Sequence, residues 1–214
     1  MAVKALQYYD PKHEFMNRLT HGIGIPLSIA GGSYLVSLAI QNPRTNLSAL
    51  IVYMVSLLAM FTSSTLYHSV SNPDIKHKMR IFDHISIFAL IGGTYTAIIT
   101  YYLKNNIGNN FLLTMWTFIG LGALLKIFFT GRFTLLSTLI YIAVGGLGFF
   151  IAKPLYQVLN KEVLLWVGIG AFLYASGVVF YRTKTIPYHH SIWHLFVLGG
   201  ALSHFIAIAL MLQS

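Results

Sequence analysis

Apolar residues come along this chain in seven long blocks, at approximately 20–40, 47–68, 81–103, 111–130, 133–152, 162–181 and 190–212. Each is close to the roughly 17–25 residues that a helix needs to cross a bilayer. The breaks between them are short and polar: QNPRTN, SVSNPDIKHKMR, KNNIGNN, TGR, KPLYQVLNK and RTKTIPYH. Pro and Gly mark most of these joints, as loops require. No linker, low-complexity stretch or internal repeat divides the chain. The pattern predicts an all-α integral membrane protein, a single seven-transmembrane helix bundle over residues 1–214.

Composition strengthens that reading. The chain is 56% hydrophobic and only 9% charged, whereas a soluble domain carries about 25% charged residues. It has no cysteine, so there is no disulfide framework and no thiolate metal site, and any metal must rest on His, Asp, Glu or water. The net charge of +9 is scattered between apolar blocks rather than gathered with aromatics, which argues for membrane orientation and against a nucleic-acid partner. The start, MAVKALQYYDPKHEFMNRLTHGIG, lacks a short apolar core followed by small residues, and reads as retained rather than as a signal peptide. With the N-terminus inside, the inner segments hold ten basic residues: Lys4, Lys12, Arg18, Lys76, Lys78, Arg80, Lys126, Arg132, Arg182 and Lys184. The outer segments hold four, Arg44, Lys104, Lys153 and Lys161. The positive-inside rule then places the N-terminus in the cytoplasm and the C-terminus outside.

The informative positions are those that break the apolar pattern, because ionisable groups within a span are expensive. Ser64 and His68 stand four apart at the end of the second block; Asp83 and His84 open the third; His190 and His194, again four apart, open the seventh. Residues at i and i+4 share a helix face, while His189 lies about 100° away from His190 and points elsewhere. In the N-in arrangement all three segments converge at similar depth on the cytoplasmic side. Three neutral imidazoles with an open position suit Zn2+, although ligand type alone leaves iron and manganese open. A nearby carboxylate, Asp83, suits a second-shell or general-base role, and Ser64 could orient a ligand or an oxyanion. The competing reading is a hydrogen-bonded polar cluster without metal.

Those residues carry a resemblance. S64-TLY-H68, D83-HISIFALIGGTYT and H190-SIW-H194-LFVLGGALSHF, with EFMNRLTHGIG at the first span, resemble the bacterial haemolysin III proteins. These group with the progestin and adipoQ receptors and, more distantly, with alkaline ceramidases. The resemblance implies a receptor-like seven-helix bundle, adiponectin-receptor-like, with its N-terminus inside. It implies a zinc site at His68, His190 and His194, with Asp83 beside the zinc water and Ser64 in the family's helix 2 serine position. It also implies membrane lipids as partners, a bacterial plasma-membrane location, and hydrolysis of lipid amide or ester bonds in lipid homeostasis. A receptor or membrane-state sensor with a structural zinc is the alternative. A pore-forming haemolysin fits less well, since the spans carry few charges to line a pore.

Five further expectations concern other residues. Glu14, Asn17 and His21, at i, i+3 and i+7, read as an interfacial stripe on a helix entering the first span rather than as part of the inner cluster, with Glu14 the better candidate for a second carboxylate. His204 is about 15 Å beyond His194 and is expected to bond between helices, while His13, His77 and His189 are expected to be solvated. Gly92-Gly93, Gly145-Gly146 and Gly199-Gly200 are expected to allow close helix packing. Tyr101, Tyr102 and Trp166 are expected to anchor at the interface.

Overall fold

The computed structural model describes residues 9–214; Lys4 lies outside them. The described chain is helical with short joints, and side-chain caps explain where four of the helices begin. Asp10 opens α1 (Pro11–Gly22): its Oδ1 accepts from the backbone N–H of Lys12 at 2.9 Å and of His13 at 3.1 Å, and Pro11 supplies the fixed φ of a first helical position. The chain runs through a break at Ile23 into α2 (Gly24–Gln41). Pro26 follows, with no N–H to offer the carbonyl of Gly22, and this is a sufficient cause for the break.

Asn46 caps α3 (Leu47–Ser69) by accepting from Ala49 N at 3.1 Å. Asn72 caps α4 (Pro73–Tyr102) by accepting from Asp74 N and Ile75 N, both at 3.1 Å. Asn105 does the same for α5 (Asn106–Phe129) through Gly108 N at 3.1 Å. Gly131, at φ +85°, and Phe133, at φ 52°, then turn the chain into α6 (Thr134–Gly145). A 3-10 stretch, Gly146–Ile151, leads to α7 (Ala152–Val158), followed by α8 (Lys161–Arg182) and α9 (His189–Gln213).

Among the described residues seven helical segments are long and apolar enough to cross a membrane: Pro11–Gln41, Leu47–Ser69, Pro73–Tyr102, Asn106–Phe129, Thr134–Val158, Lys161–Arg182 and His189–Gln213. The seven expected blocks are all present. Two start well before their apolar run. The first span is preceded by α1 because Asp10-Pro11 is a helix start, and the third begins at Pro73 rather than 81 because Asn72-Pro73-Asp74 is one too. Both extensions are polar helix that hydropathy alone does not register.

The most extensive helix pairs are α3 with α4 and α8 with α9. One core cluster runs between them, with Leu50, Tyr53, Leu57 and Phe61 of α3 meeting Ile98 of α4 and Ile208 and Met211 of α9. A second joins Phe88 and Ile99 of α4 to Phe111, Met115 and Ile119 of α5 and to Val144 of α6. Phe149 and Phe150, each 85% exposed, point outward as lipid-facing residues do.

The glycine pairs divide. Gly93 lies so close to α3 that an added Cβ would stand 2.9 Å from the Cα of Tyr53, and Gly200 packs as tightly on the ring of Tyr174. A Cβ added at Gly145, by contrast, would meet nothing within 4 Å, so close packing is not its role. It ends α6 where the helix tightens, and Tyr95 bridges that break by donating its hydroxyl to the carbonyl of Gly145 and accepting from Gly148 N at 2.9 Å. Tyr101 is not an interfacial anchor either: it is buried, and its hydroxyl oxygen accepts from Asn42 Nδ2 at 3.0 Å.

Because the obstacles at Gly93 include the Tyr53 backbone as well as the Ser56 hydroxyl, Gly93→Ala should destabilise the bundle by about 1–3 kcal/mol, the usual cost of overpacking. Gly120→Ala, with nothing within 4 Å, should not. Thermal unfolding in detergent measures both; equal midpoints would contradict the close α3–α4 approach.

Candidate metal centre

The end of α3, the start of α9 and the inner face of α1 meet in one polar cluster. His68 sits one turn beyond Ser64 on α3, and His194 one turn beyond His190 on α9. His68 and His194 are buried, and His194 is fully enclosed at 0% exposure. His190 is half-buried as a residue, while its Nδ1 is shut off from solvent. Each of these three histidines offers one nitrogen such that the donor atoms lie within 4.8 Å of one another. The ring centroids are 5.1 Å apart for His68 and His190, 5.2 Å for His68 and His194, and 4.6 Å for His190 and His194.

Hydrogen bonds on the far side of two rings fix which nitrogen is free. His68 Nδ1 is 2.6 Å from Glu14 Oε2, and a carboxylate accepts, so the ring carries its proton on Nδ1. His194 Nδ1 is 3.1 Å from the carbonyl oxygen of Asn17, which also can only accept. Thr20 Oγ1 lies 3.1 Å from the same nitrogen, its own proton directed to the carbonyls of Met16 and Asn17. Both rings therefore present a bare Nε2, and both Nε2 atoms are buried without a hydrogen-bond partner among the described residues. His190 adds an unpartnered Nδ1. Buried polar atoms without partners are costly unless something satisfies them, and three imidazole lone pairs converging in this way fit a divalent ion such as zinc. Carboxylate and carbonyl partners behind the ligating rings are the usual means of holding their orientation.

Glu14, Asn17, Thr20 and His21 are thus part of the cluster, contrary to the interfacial role expected of the α1 stripe. Asn17 and His21 are each 1% exposed. The reason is packing: α1 lies against both α3 and α9, and its polar face has nowhere else to point. The i, i+3, i+7 spacing was the available signal, since a stripe that polar at the mouth of an apolar span needs partners. Lys76 has also moved from where its sequence position put it. Counted as a loop charge, it is 1% exposed, and its ammonium reaches Glu14 Oε1 at 2.9 Å and the carbonyl of Tyr67 at 3.0 Å. Both Glu14 oxygens are therefore engaged.

Ser64 Oγ is 2.7 Å from His21 Nδ1, and the His21 ring stacks on His194 with centroids 3.6 Å apart. Asp83 is buried on α4, with Oδ2 3.4 Å from Nδ1 of His84, and it is not among the three grouped ligands. Tyr9 stacks over His190 at 5.2 Å, and burial pushes its hydroxyl well above the ordinary tyrosine range, so it stays protonated. His204 bonds between helices as expected, its Nε2 3.3 Å from the carbonyl of Val167. His13 pairs with Asp10 at 2.9 Å, and His77 is half-buried. His189 does not stay in solvent: it is buried, with Nδ1 3.2 Å from the carbonyl of Phe180, because the joint before α9 folds back on the end of α8.

Purified protein should bind one zinc, and the His190→Ala, His194→Ala double variant should bind none by elemental analysis. Glu14→Gln should keep the site but weaken it by about 10–100-fold, the usual effect of losing an outer partner of a metal-ligating histidine. Equal zinc in wild type and the double variant would end the assignment.

The family profile for Haemolysin-III related proteins matches residues 9–205. Hemolysin-3 homolog of Bacillus subtilis (strain 168) is 39% identical over 198 residues, covering 92% of this chain and 93% of that protein. Hemolysin-3 of Bacillus cereus is 38% identical, covering 92% and 90%. The human monocyte to macrophage differentiation factor is 26% identical over 90% of this chain and 81% of its own length, in keeping with the resemblance to progestin and adipoQ receptors. No solved structure matches. Seven apolar spans and a match that runs through nearly all of them make this chain a multi-pass membrane protein of the haemolysin III family.

Proposed function

We propose that this protein is a zinc-dependent hydrolase of lipid amide or ester bonds, acting in membrane lipid homeostasis. The observation that carries the reading is the pair of bare, buried Nε2 atoms on His68 and His194, set beside His190, with the Asp83 carboxylate buried on the adjoining helix α4. His68, His190 and His194 hold the metal. Zinc in a three-histidine setting with an open position supplies Lewis acidity to a water and to a carbonyl.

The chain's own residues do the remainder. Asp83 accepts the proton of the attacking water on a carboxylate oxygen and passes it to the leaving amine or alcohol. Ser64 donates its Oγ–H to the developing oxyanion. For that, Ser64 Oγ must accept from His21 Nδ1–H across the 2.7 Å contact, which assigns His21 the tautomer with its proton on Nδ1. Glu14, with both oxygens engaged by His68 and Lys76, orients the ligand ring and leaves proton transfer to Asp83.

One observation favours a second reading, a receptor or sensor with a structural metal. The nitrogens behind His68 and His194 bond to α1, so a metal would fasten α1, α3 and α9 together whether or not it turned anything over. The two readings separate on a panel of ceramide-type amides and acyl esters. Hydrolysis predicts fatty-acid release that falls by about 10²–10⁴-fold in Asp83→Asn while bound zinc is unchanged. Full zinc occupancy with no release from any lipid above the level of the His190→Ala, His194→Ala variant would leave the structural reading standing.

The same proposal places the site on the cytoplasmic side of a bacterial plasma membrane, N-terminus inside, on the strength of the ten-to-four split of basic residues. The chain has no cysteine, so single substitutions report topology directly. Lys104→Cys should react with an impermeant maleimide on intact cells and Ser71→Cys only after permeabilisation; the opposite pattern would invert the bundle.

A further inference from the structure

Away from the histidine cluster, the same end of the bundle holds a buried cation that is in no ion pair among the described residues. Lys126 lies in the last turn of α5 and is 6% exposed. Among the described residues the ion pairs are His13–Asp10, His68–Glu14, Lys76–Glu14 and His84–Asp83, and none includes Lys126. Its ammonium rests over the ring face of Tyr141, 5.0 Å from the centroid, and makes no hydrogen bond among the described residues.

A second cation stands nearby. Arg80 is 7% exposed on α4, and its Nη1 is 3.2 Å from the point where a Cβ on Gly131 would stand, so the guanidinium reaches the joint that follows Lys126. The charges acting on Lys126 are those of Arg80 and Asp83. Asp83 is placed with His84, and Tyr141 is tied to the same turn, its hydroxyl donating to the carbonyl of His84 at 2.8 Å. Two like charges buried in one neighbourhood repel, and an added anion that reaches both relieves that repulsion.

We propose that Lys126 and Arg80 form a binding site for an oxyanion, the phosphate of a phospholipid headgroup or free phosphate. Basic pockets between transmembrane helices at the membrane surface bind anionic headgroups in this manner. The surroundings favour the lipid source: Leu125, Phe129 and Phe133 flank the site and are 43%, 40% and 66% exposed, presenting apolar surface where acyl chains would run. The site stands apart from the metal reading, because none of its groups is a proposed ligand.

Thermal unfolding of the full chain tests it in vesicles of phosphatidylcholine alone, with phosphatidylglycerol, or with added inorganic phosphate. Wild type should unfold at higher temperature with phosphatidylglycerol, by the same increment with and without a zinc chelator. Lys126→Met should lose that increment and retain phosphatidylglycerol about fivefold less tightly by native mass spectrometry, the effect of one basic residue at the surface. Lys104→Met, a basic residue at the other end of the bundle, should keep it. An equal increment from inorganic phosphate, also lost in Lys126→Met, would support the oxyanion site with a soluble source. No increment in wild type from either anion, or an increment that survives Lys126→Met, overturns the proposal. Stability in pure phosphatidylcholine is a separate check. With its unpaired cation removed, Lys126→Met should be at least as stable there as wild type, and a lower midpoint overturns the proposal as well.

Discussion

An imidazole has two nitrogens, and this fold commits one of them on each of two rings in order to define the other. His68 and His194 give their Nδ1 protons to Glu14 and to the backbone of Asn17. In water such bonds would shift tautomers by little. Inside an apolar bundle, where no solvent competes, they decide them. The result is two lone pairs aimed into one small space with nothing among the described residues to receive them. That residual need, rather than the number of histidines, distinguishes a metal centre from a satisfied polar cluster.

The rest of this end of the molecule follows from supplying those partners. α1 must be helical as far as His21 to bring Glu14, Asn17 and Thr20 onto one face, and the Asp10 cap and Pro11 start it early enough to do so. Glu14 is half-buried beside lipid-facing helices and needs a cation, which α4 provides by beginning at Pro73 and carrying Lys76 inward. The tight α3–α4 approach at Gly93 keeps these two helices together along the bundle. Each of these features lies outside the apolar blocks or at their edges, yet the histidine geometry depends on all of them.

The division between what could and could not be read in the sequence has the same origin. Seven spans are visible because the cost of exposing polar backbone to lipid forces long apolar helices, and His190 and His194 are visible because helical spacing is local. The pairing with His68 was legible only after the spans had been laid antiparallel. The α1 stripe was misjudged because hydropathy is blind to a polar helix: Glu14, Asn17 and His21 look alike whether they face water or one another. His189 and Tyr101 were misjudged for a related reason, since their burial is set by how a joint folds back and by a partner such as Asn42, far away in sequence. Gly145-Gly146 resembles a packing motif, but its use is to let α6 tighten into a 3-10 turn.

The two carboxylates near the centre are not equivalent, and their difference bears on the chemistry. Glu14 has one oxygen on His68 and the other on Lys76, so protonating it would break a bond to the ring it orients and a buried ion pair at once. Asp83 has one oxygen near His84, and among the described residues its other oxygen has no hydrogen bond. A group that must take up and release a proton in each turnover cannot also be the group that holds the ligand still. On the hydrolase reading proposed above, Glu14, with both oxygens engaged, would hold the ring, and Asp83, with one oxygen engaged, would move the proton.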